Sequence, residues 1–382
     1  MIPAIELCRR LRAAGEEPVL ITGRRWRETA AGESIRFVEL RGLAPRPGDD
    51  DTDSGSKLHD RAAHVAAEML PELRALAPDV VVSDTITVGG ALAAEKLGLP
   101  WVELVPHPLY LPSRGLPPLG SGLAPGRGVR GRLRDRVLRA MAARSIRAGE
   151  RERARAREKL GLPAAGGAPA ARMVAVLPGL EVPRPDWPAD TYVVGPLLWD
   201  PTETYVDPPP GDDPLVLIAP STATAEGAPM AEVALAALAP EKLGGRRVRA
   251  LITTFGEIPA DLPEWARAGR SRQDRALAEA TVVVCGAGHG MMAKALGAGV
   301  PVVAVPGGGD QWEVAQRARR AGCAVVVRPL GVDALAAAVA EVLGDRQRYC
   351  GAARRVGAAR ARVDAVEVCR RAAGRATVAG CD

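Results

Sequence analysis

The segment VVVCGAGHGMMAKALGAGVPVVAVPGGGDQ, residues 282–311, decides the fold class of this chain. Two apolar, β-branched runs, 282–285 and 301–305, are separated by a glycine-rich turn and a short helical pattern that Gly299 closes. This order is typical of a parallel α/β layer. Glycines at a strand-to-helix turn let the backbone approach a ligand, and the helix N-terminus offers unpaired N–H donors. The segment therefore predicts a site for a phosphate-bearing ligand, with close packing as the alternative reason for its glycines.

Strand-like and helical patterns alternate on both sides of this segment. Upstream, the runs DVVVSD and WVELV are separated by a helical pattern at 87–97, and downstream, LVLIAP and RVRALITT are separated by one near 226–239. A proline-rich stretch, residues 199–213, interrupts the series. Because a single core rarely grows beyond about 250–300 residues, the pattern predicts two α/β domains with parallel sheets, 1–198 and 214–382, joined by that stretch as a linker.

Composition narrows the class of protein. The 382 residues carry a net charge of +6, and the six cysteines show neither a CxxC nor a paired spacing, which disfavours a disulfide framework and a zinc site. No apolar run approaches the roughly 18 residues of a membrane span. The start MIPAIELCRR lacks the order of a signal peptide. We therefore expect a protein of the reducing cytoplasm.

One strongly basic segment stands apart from an otherwise nearly neutral chain. Residues 127–159 hold 13 Arg or Lys against 4 Asp or Glu, a local net charge of +9. Leu133, Val137 and Met141 recur at four-residue spacing, which predicts an amphipathic helix with a basic outer face. Such a helix is either a solvated surface or a contact for an anionic membrane or acidic acceptor. Aromatic residues form only 3% of the chain and are not interleaved here, which argues against nucleic acid.

The glycine-rich segment is similar to a known donor-binding signature. It lacks the GxGxxG spacing of nicotinamide-binding Rossmann folds, and the chain has no GxxxxGK[ST] loop. The runs GAGHGMMAKAL and GVPVVAVPGGGDQ resemble the signature of the family 1 glycosyltransferases, the UDP-glycosyltransferase-like enzymes of the GT-B fold. Residues 78–104, 192–199 and 214–224 resemble other parts of that family in the same order. The resemblance implies two Rossmann-like α/β/α domains facing a cleft, the first for the acceptor and the second for the donor, with the last helix crossing back.

The resemblance also implies a set of donor-binding residues. Asp310 and Gln311 take the place of the pair that binds the donor sugar, and the alternative is an N-cap aspartate followed by an exposed glutamine. Ser221 and Thr222 would contact the donor phosphates or cap a helix, and Gln273 would contact the nucleotide base. The full predicted set is Ser221, Thr222, Gln273, Gly288, His289, Gly290, Met291, Asp310 and Gln311.

Three positions depart from the family pattern. Gly286 replaces a phosphate-binding histidine, Met291 replaces a serine or threonine at the helix start, and Lys294 replaces a glutamate that often binds the ribose. Methionine offers no comparable hydrogen bond. We therefore expect the backbone N–H groups of residues 288–292 to hold the diphosphate. His289 or Lys294 would supply charge, with a purely structural His289 as the alternative.

The catalytic assignment rests on Asp84 and His107. Pro3, Leu7 and the residues that follow fit the helix that comes after the family's GHxxP loop, so the first strand and its general-base histidine are expected to be missing through a misassigned start or truncation. Asp84 ends the strand pattern VVVSD and matches the acid that orients this histidine. The alternative is a strand-end residue in a protein that has lost catalysis. His107, in an acceptor-side loop, is a candidate substitute base, or else has a structural or acceptor-contacting role.

The resemblance implies an inverting, metal-independent transfer of a hexose from a nucleotide diphosphate sugar to a hydroxyl of a small-molecule or lipid acceptor. No cofactor is expected, because the helix dipole and backbone donors would stabilise the leaving diphosphate. The loops around residues 105–130 would form the acceptor pocket. Two alternatives stay open from the sequence: a non-catalytic nucleotide-sugar-binding protein of this fold, and a nucleotide-sugar epimerase.

Overall fold

A computed structural model describes residues 1–41, 54–220, 227–254, 258 and 261–374. Every strand pair in this part of the chain is parallel, and the strands form three sheets. Strands β4 and β7 are buried along their whole length. Burial on both faces explains why these strands are continuous apolar runs without alternation. The predicted α/β fold with parallel sheets is confirmed.

The N-terminal half contains a two-stranded sheet, β1–β2, and a four-stranded sheet in the order β3-β4-β5-β6. Helices α3 and α4 pack together against one face of the four-stranded sheet, where Val65, Leu92 and Trp101 share a core cluster. The strands are β1 (Val19–Thr22), β2 (Arg36–Glu39), β3 (Val81–Asp84), β4 (Trp101–Val105), β5 (Ala171–Val174) and β6 (Thr191–Val193). The helices are α1 (Ile2–Ala13), α2 (Arg27–Gly32), α3 (Ser54–Leu76), α4 (Gly89–Lys96) and α5 (Gly128–Glu158).

The C-terminal half is built on a six-stranded sheet in the order β12-β11-β10-β7-β8-β9. The strands are β7 (Leu215–Ala219), β8 (Arg249–Thr253), β9 (Ala266–Gly269), β10 (Val282–Cys285), β11 (Val302–Ala304) and β12 (Ala324–Val326). The helices are α6 (Gly227–Ala237), α7 (Gln273–Glu279), α8 (His289–Gly297), α9 (Gln311–Arg320), α10 (Val332–Gly344), α11 (Arg346–Gly357) and α12 (Ala365–Ala372). Two core clusters fill the space on the two faces of this sheet.

The strand order places a ligand crevice in the C-terminal half. The chain runs from β7 outward to β9 and then returns to add β10 on the other side of β7. In open parallel sheets, ligands bind outside the carboxyl ends of the strands at such a reversal. The turn that follows Cys285 at the end of β10 lies at this point. Topology alone therefore selects the turn that the sequence predicts to hold phosphate.

Helix α12 packs against α1 and strands β4 and β5 of the N-terminal sheet. Its Ala365, Val368 and Cys369 share a core cluster with Leu7 and Leu104. The contact ties the end of the described chain to the first half of the fold. The domain boundaries at 198 and 214 stay a prediction.

The basic segment forms one long helix, α5, as predicted, but its apolar stripe does not face the protein. Leu133, Val137 and Met141 are all exposed, whereas the buried residues of the helix are Asp135, Ala156 and Arg157. The expectation of a basic outer face over an apolar inner one was therefore wrong. The four-residue spacing identified the helix correctly but could not show which face the rest of the chain covers.

Candidate functional site

The turn after β10 exposes backbone donors beside open space. Ala287 has a positive φ of 59°, and Gly288 then occupies the N-cap position of α8. A side chain at Gly288 or Gly290 would meet no described atom within 4 Å. Met292 N–H donates to the Gly288 carbonyl at 3.1 Å as the first bond of the helix. The predicted donor set of residues 288–292 therefore ends at Met291, whose side chain packs against the core.

His289 does not supply positive charge to this turn. The ring is buried, and the Leu177 N–H donates to its Nε2 at 3.2 Å. Burial, with the nearby positive charges of His107 and Arg317, lowers the pKa of His289 to about 4. Because Nε2 accepts a hydrogen bond, the proton of the neutral ring lies on Nδ1. The expectation of a charged histidine at the diphosphate was wrong, since His289 instead joins the start of α8 to the N-terminal half.

Lys294 forms an ion pair instead of standing free for a phosphate. Its Nζ contacts Asp200 Oδ1 and donates to Gln273 Oε1 at 3.0 Å. Both Lys294 and Asp200 are largely buried. The ammonium is thereby committed to a carboxylate from the predicted linker, which corrects the expectation that Lys294 supplies phosphate charge.

Gln273, the predicted contact for the nucleotide base, belongs to the same cluster. It is the first residue of α7, and its Nε2 lies 3.5 Å from Thr253 Oγ1 at the end of β8. Lys294 and Thr253 thus fix the amide from two sides. The site at this end of the sheet contains an amide and a carboxylate, Asp200, held together by one lysine.

Asp310 stands at the N-cap position of α9 but does not cap it. No hydrogen bond from its side chain to the helix is present among the described residues. Burial raises the pKa of the Asp310 carboxyl, and the positive charge of His107 partly offsets this shift. An aspartate kept partly buried without a capping bond costs free energy. The N-cap alternative for Asp310 was therefore wrong, because the side chain makes no capping bond to α9.

Gln311 is buried, which contradicts the alternative of an exposed glutamine after an N-cap aspartate. Its Oε1 accepts the N–H of Gly307 at 2.8 Å. This bond holds the PGGGD loop close to the start of α9. Gly309 has a φ of +64°, and a side chain at Gly308 or Gly309 would meet no described atom within 4 Å. The loop therefore presents open backbone beside Asp310.

His107 follows β4 and reaches the donor side of the cleft. Its charge acts on both His289 and Asp310, which places the ring near the α8 and α9 N-termini. His107 Nδ1 lies 2.9 Å from the Pro108 carbonyl oxygen. A carbonyl only accepts hydrogen bonds, so Nδ1 carries a proton, and in the neutral form of the ring the lone pair lies on Nε2.

Asp84 and His107 lie at the same edge of the N-terminal sheet. Asp84 ends β3 opposite Leu104 of β4, and His107 comes shortly after that strand ends. The Asp84 carboxylate accepts the Ile86 N–H at 2.8 Å. Within the described ranges, no hydrogen bond or ion pair joins Asp84 to His107. The structure thus places the two predicted catalytic residues on neighbouring strands without pairing them.

An ionic network that the sequence did not indicate fixes α9 to the N-terminal half. Arg317 donates to Glu313 Oε1 at 3.0 Å, to the Leu180 carbonyl at 3.2 Å and to Glu181 Oε1 at 3.0 Å. Glu313 Oε2 in turn accepts the Gly122 N–H at 2.9 Å. All three charged side chains are at least nine-tenths buried. The four-residue spacing of Glu313 and Arg317 was the one available signal.

A largely apolar cavity of about 330 Å³ opens among the loops after β4, beside this network. Tyr110 lines it, and its hydroxyl donates to Glu103 Oε1 at 2.8 Å. Burial, followed by the negative charge of Glu103, raises the pKa of Tyr110 to about 12. Tyr110 is therefore a fixed wall of the cavity and not a proton acceptor. The other lining residues include Leu109, Pro112, Leu116, Pro118, Arg139, Ile146, Arg184 and Arg317.

Ser221 and Thr222 lie outside the described residues, so their phosphate contacts stay a prediction. In the sequence they come shortly after β7, the strand directly beside β10 in the sheet. Within the described ranges, no helix combines the length and the apolar character that crossing a bilayer requires.

No protein-family model matches the chain. The sequence is 27% identical to 4'-demethylrebeccamycin synthase of Lentzea aerocolonigenes over 357 residues, covering 85% of this chain and 83% of that protein. A PGL/p-HBAD biosynthesis rhamnosyltransferase of Mycobacterium bovis (strain BCG / Pasteur 1173P2) is 33% identical over 186 residues, which is 46% of this chain and 39% of that protein.

Solved structures share the fold along nearly the whole chain. The glycosyltransferase of kitacinnamycin matches with a TM-score of 0.71 and 20% identity, covering 93% of this chain and 91% of that one. The spinosyn rhamnosyltransferase complexed with thymidine diphosphate matches with a TM-score of 0.67 and 20% identity, covering 94% and 92%. The chain is a glycosyltransferase of the GT-B fold. In this glycosyltransferase, the backbone donors at the start of α8 therefore lie at the crevice beside the β7–β10 reversal, with Asp310 and His107 nearby.

Proposed function

We propose that this glycosyltransferase transfers a hexose from a nucleotide diphosphate sugar to a hydroxyl of an apolar small-molecule or lipid acceptor, with inversion and without a metal ion. The observation that carries the proposal is the position of His107, whose charge acts on both His289 at the start of α8 and Asp310 at the start of α9. This proximity would bring an imidazole from the acceptor half beside the donor half.

The donor would lie across the start of α8. The unpaired N–H groups ahead of Met292 and the helix dipole favour a diphosphate. Asp310 would accept hydrogen bonds from sugar hydroxyls, while Gln311 holds the loop in place. Gln273 and Asp200, both bound to Lys294, would contact the nucleoside. The spinosyn rhamnosyltransferase was solved with thymidine diphosphate, which favours a pyrimidine nucleotide here as well.

His107 would act as the general base. Its Nε2 takes the proton of the acceptor hydroxyl as that oxygen attacks the anomeric carbon. The new carbon–oxygen bond forms while the bond from the anomeric carbon to the diphosphate oxygen breaks, and the electron pair leaves with the nucleoside diphosphate. The start of α8 stabilises the departing negative charge. A single displacement inverts the configuration.

The acceptor would occupy the 330 Å³ cavity among the loops after β4. Its proline and leucine lining suits an apolar ring system or chain, and three arginines suit an oxygen-rich edge. The spinosyn rhamnosyltransferase was solved with spinosyn aglycone, which favours an aglycone as the acceptor here as well.

The test is turnover by the purified chain. TDP- and UDP-hexoses are each incubated with a panel of hydroxylated polycyclic acceptors, with and without EDTA. Mass spectrometry measures the glycoside, and the proton coupling at the anomeric carbon gives its configuration. We expect an inverted glycoside at a rate that EDTA leaves unchanged. Retained configuration would contradict the single displacement, and loss of activity in EDTA would contradict metal independence.

The two alternatives predict different outcomes in the same experiment. A binding protein would show calorimetric affinity for the nucleotide sugar but would release no nucleoside diphosphate with any acceptor. An epimerase would convert the donor sugar in the absence of an acceptor. The position of His107 beside Asp310 favours transfer over binding alone, because a non-catalytic site has no need of a basic nitrogen there.

A further inference from the structure

Helix α5 carries an exposed apolar stripe along its first half. Val129, Leu133, Val137 and Met141 have exposed fractions of 78%, 59%, 51% and 69%. They follow one another at four-residue spacing, so they form a continuous line on one side of the helix. Within the described residues, no core cluster includes any of the four. A line of exposed large apolar side chains on one helix indicates a contact surface.

Arginines border this stripe on both sides. Arg130, Arg132, Arg134 and Arg136 alternate with the apolar residues along the sequence and are all exposed. By helical position, Arg132 and Arg136 lie along one edge of the stripe and Arg130 and Arg134 along the other. Arg144 and Arg147 extend the exposed positive charge toward the middle of the helix.

Negative charge is absent from the exposed surface of this half-helix. Asp135 is the one acidic residue between positions 128 and 147. It is buried, where it accepts the Gly126 N–H at 2.7 Å and pairs with Arg134. An apolar line between two rows of arginine, without exposed acids, is complementary to a surface with an apolar interior and an anionic rim.

The opposite side of α5 lines the cavity described above. Arg139, Ala142, Ser145 and Ile146 contribute to its wall. By helical position Arg139, Ala142 and Ile146 lie across the helix axis from the exposed stripe. One helix therefore separates the exposed stripe from the cavity.

We propose that the first half of α5 docks the protein on anionic phospholipid bilayers. The stripe enters the region between headgroups and acyl chains, and the bordering arginines bind lipid phosphates. The docked helix lies in the plane of the membrane surface and does not cross it. This orientation places the cavity directly behind the docking helix, on the membrane side of the protein. The docking itself does not depend on the proposed transfer reaction.

The experiment is co-sedimentation of the purified chain with 100-nm vesicles, one set of phosphatidylcholine alone and one with phosphatidylglycerol added. We expect binding to the anionic vesicles that weakens as salt is raised, and little binding to the neutral ones. The double variant Leu133→Gln and Val137→Gln removes the stripe without changing charge, and Arg132→Gln and Arg136→Gln remove two bordering charges. Each is expected to weaken binding about tenfold or more.

The matched control is Arg246→Gln with Arg247→Gln, an exposed pair in the C-terminal half that changes the net charge by the same amount. This variant should bind vesicles like the unmodified chain. Circular dichroism and light scattering establish folding and oligomeric state for all four proteins. An equal loss of binding in the control would show that vesicle binding depends on net charge alone, and it would overturn the proposal. The proposal would also be overturned if the unmodified chain did not bind anionic vesicles. The same holds if the unmodified chain formed a dimer that the Leu133→Gln and Val137→Gln variant did not form.

Discussion

Arg317 of helix α9 and Glu181 of the N-terminal half form an ion pair of 3.0 Å, with both side chains nearly fully buried. Because α9 begins immediately after Asp310, this pair fixes the predicted sugar-binding carboxylate relative to the acceptor half. The same guanidinium binds Glu313 and the Leu180 carbonyl. The network therefore connects the stability of the contact between the halves to the geometry of the site.

Replacing Arg317 with methionine should destabilise the protein strongly. The change keeps much of the apolar volume but removes the buried cation that Glu313 and Glu181 share, which costs about 3 kcal/mol or more in the free energy of unfolding. Urea denaturation followed by circular dichroism measures the loss. Arg319→Met on the same helix is the control, since Arg319 is exposed and its loss should cost about 0.5 kcal/mol or less. Similar losses in both variants would show that the network contributes nothing.

Acidification should destabilise the protein through His289. Its pKa is about 4 in the folded state, against an ordinary value of 6.5. The unfolded chain therefore binds more protons between these values, so stability falls as the pH falls from about 6.5 to 4. The contribution lost approaches about 3 kcal/mol. A series of urea denaturations between pH 7 and 4 should show this slope. His289→Gln should flatten it, and an unchanged slope would assign the acid sensitivity to other groups.

The fold was predictable because its strands are long apolar runs, such as the run that ends at Cys285. Strands β5, β6 and β9 were missed, since their sequences ARMV, TYV and ARAG are short and mixed, and neighbouring strands rather than local propensity determine them. The glycine turn was predictable because its backbone requirements are local, and the role of Asp310 at the donor sugar stays a prediction. Lys294 was misjudged because its partner Asp200 lies 94 residues away in sequence. A local sequence pattern cannot indicate an ion pair between residues so far apart in the chain.

Asp310 should matter for the donor sugar and not for folding. Because its side chain does not cap α9, Asp310→Ala should change the free energy of unfolding by less than the roughly 1 kcal/mol of a lost cap. Calorimetry should show unchanged affinity for the nucleoside diphosphate, while affinity for the intact nucleotide sugar falls about tenfold or more. Asp310→Asn, which keeps one acceptor oxygen, should lose less. Equal loss of affinity for both ligands would contradict a role at the sugar.

Removing the charge of Lys294 should reveal the free-energy cost of burying the Asp200 carboxylate. Lys294→Met leaves a largely buried carboxylate without its cation, which should lower the free energy of unfolding by about 2 kcal/mol. Adding Asp200→Asn to this variant removes the unpaired charge and should recover much of the loss. A double-mutant cycle by urea denaturation measures the coupling. If the two losses simply add, the two side chains do not interact in solution.

His107 should be required for chemistry and not for donor binding. His107→Gln keeps a hydrogen-bonding side chain but removes the basic nitrogen, so kcat should fall about 100-fold or more while the affinity for nucleoside diphosphate stays constant. Asp84→Asn should lower kcat less, because Asp84 makes no hydrogen bond or ion pair with His107 in the described structure. The matched control is His64→Gln in α3, which lies outside the cleft network and should retain full activity. A His107 variant with normal kcat would assign the proton transfer to another group and leave His107 as a contact for the acceptor.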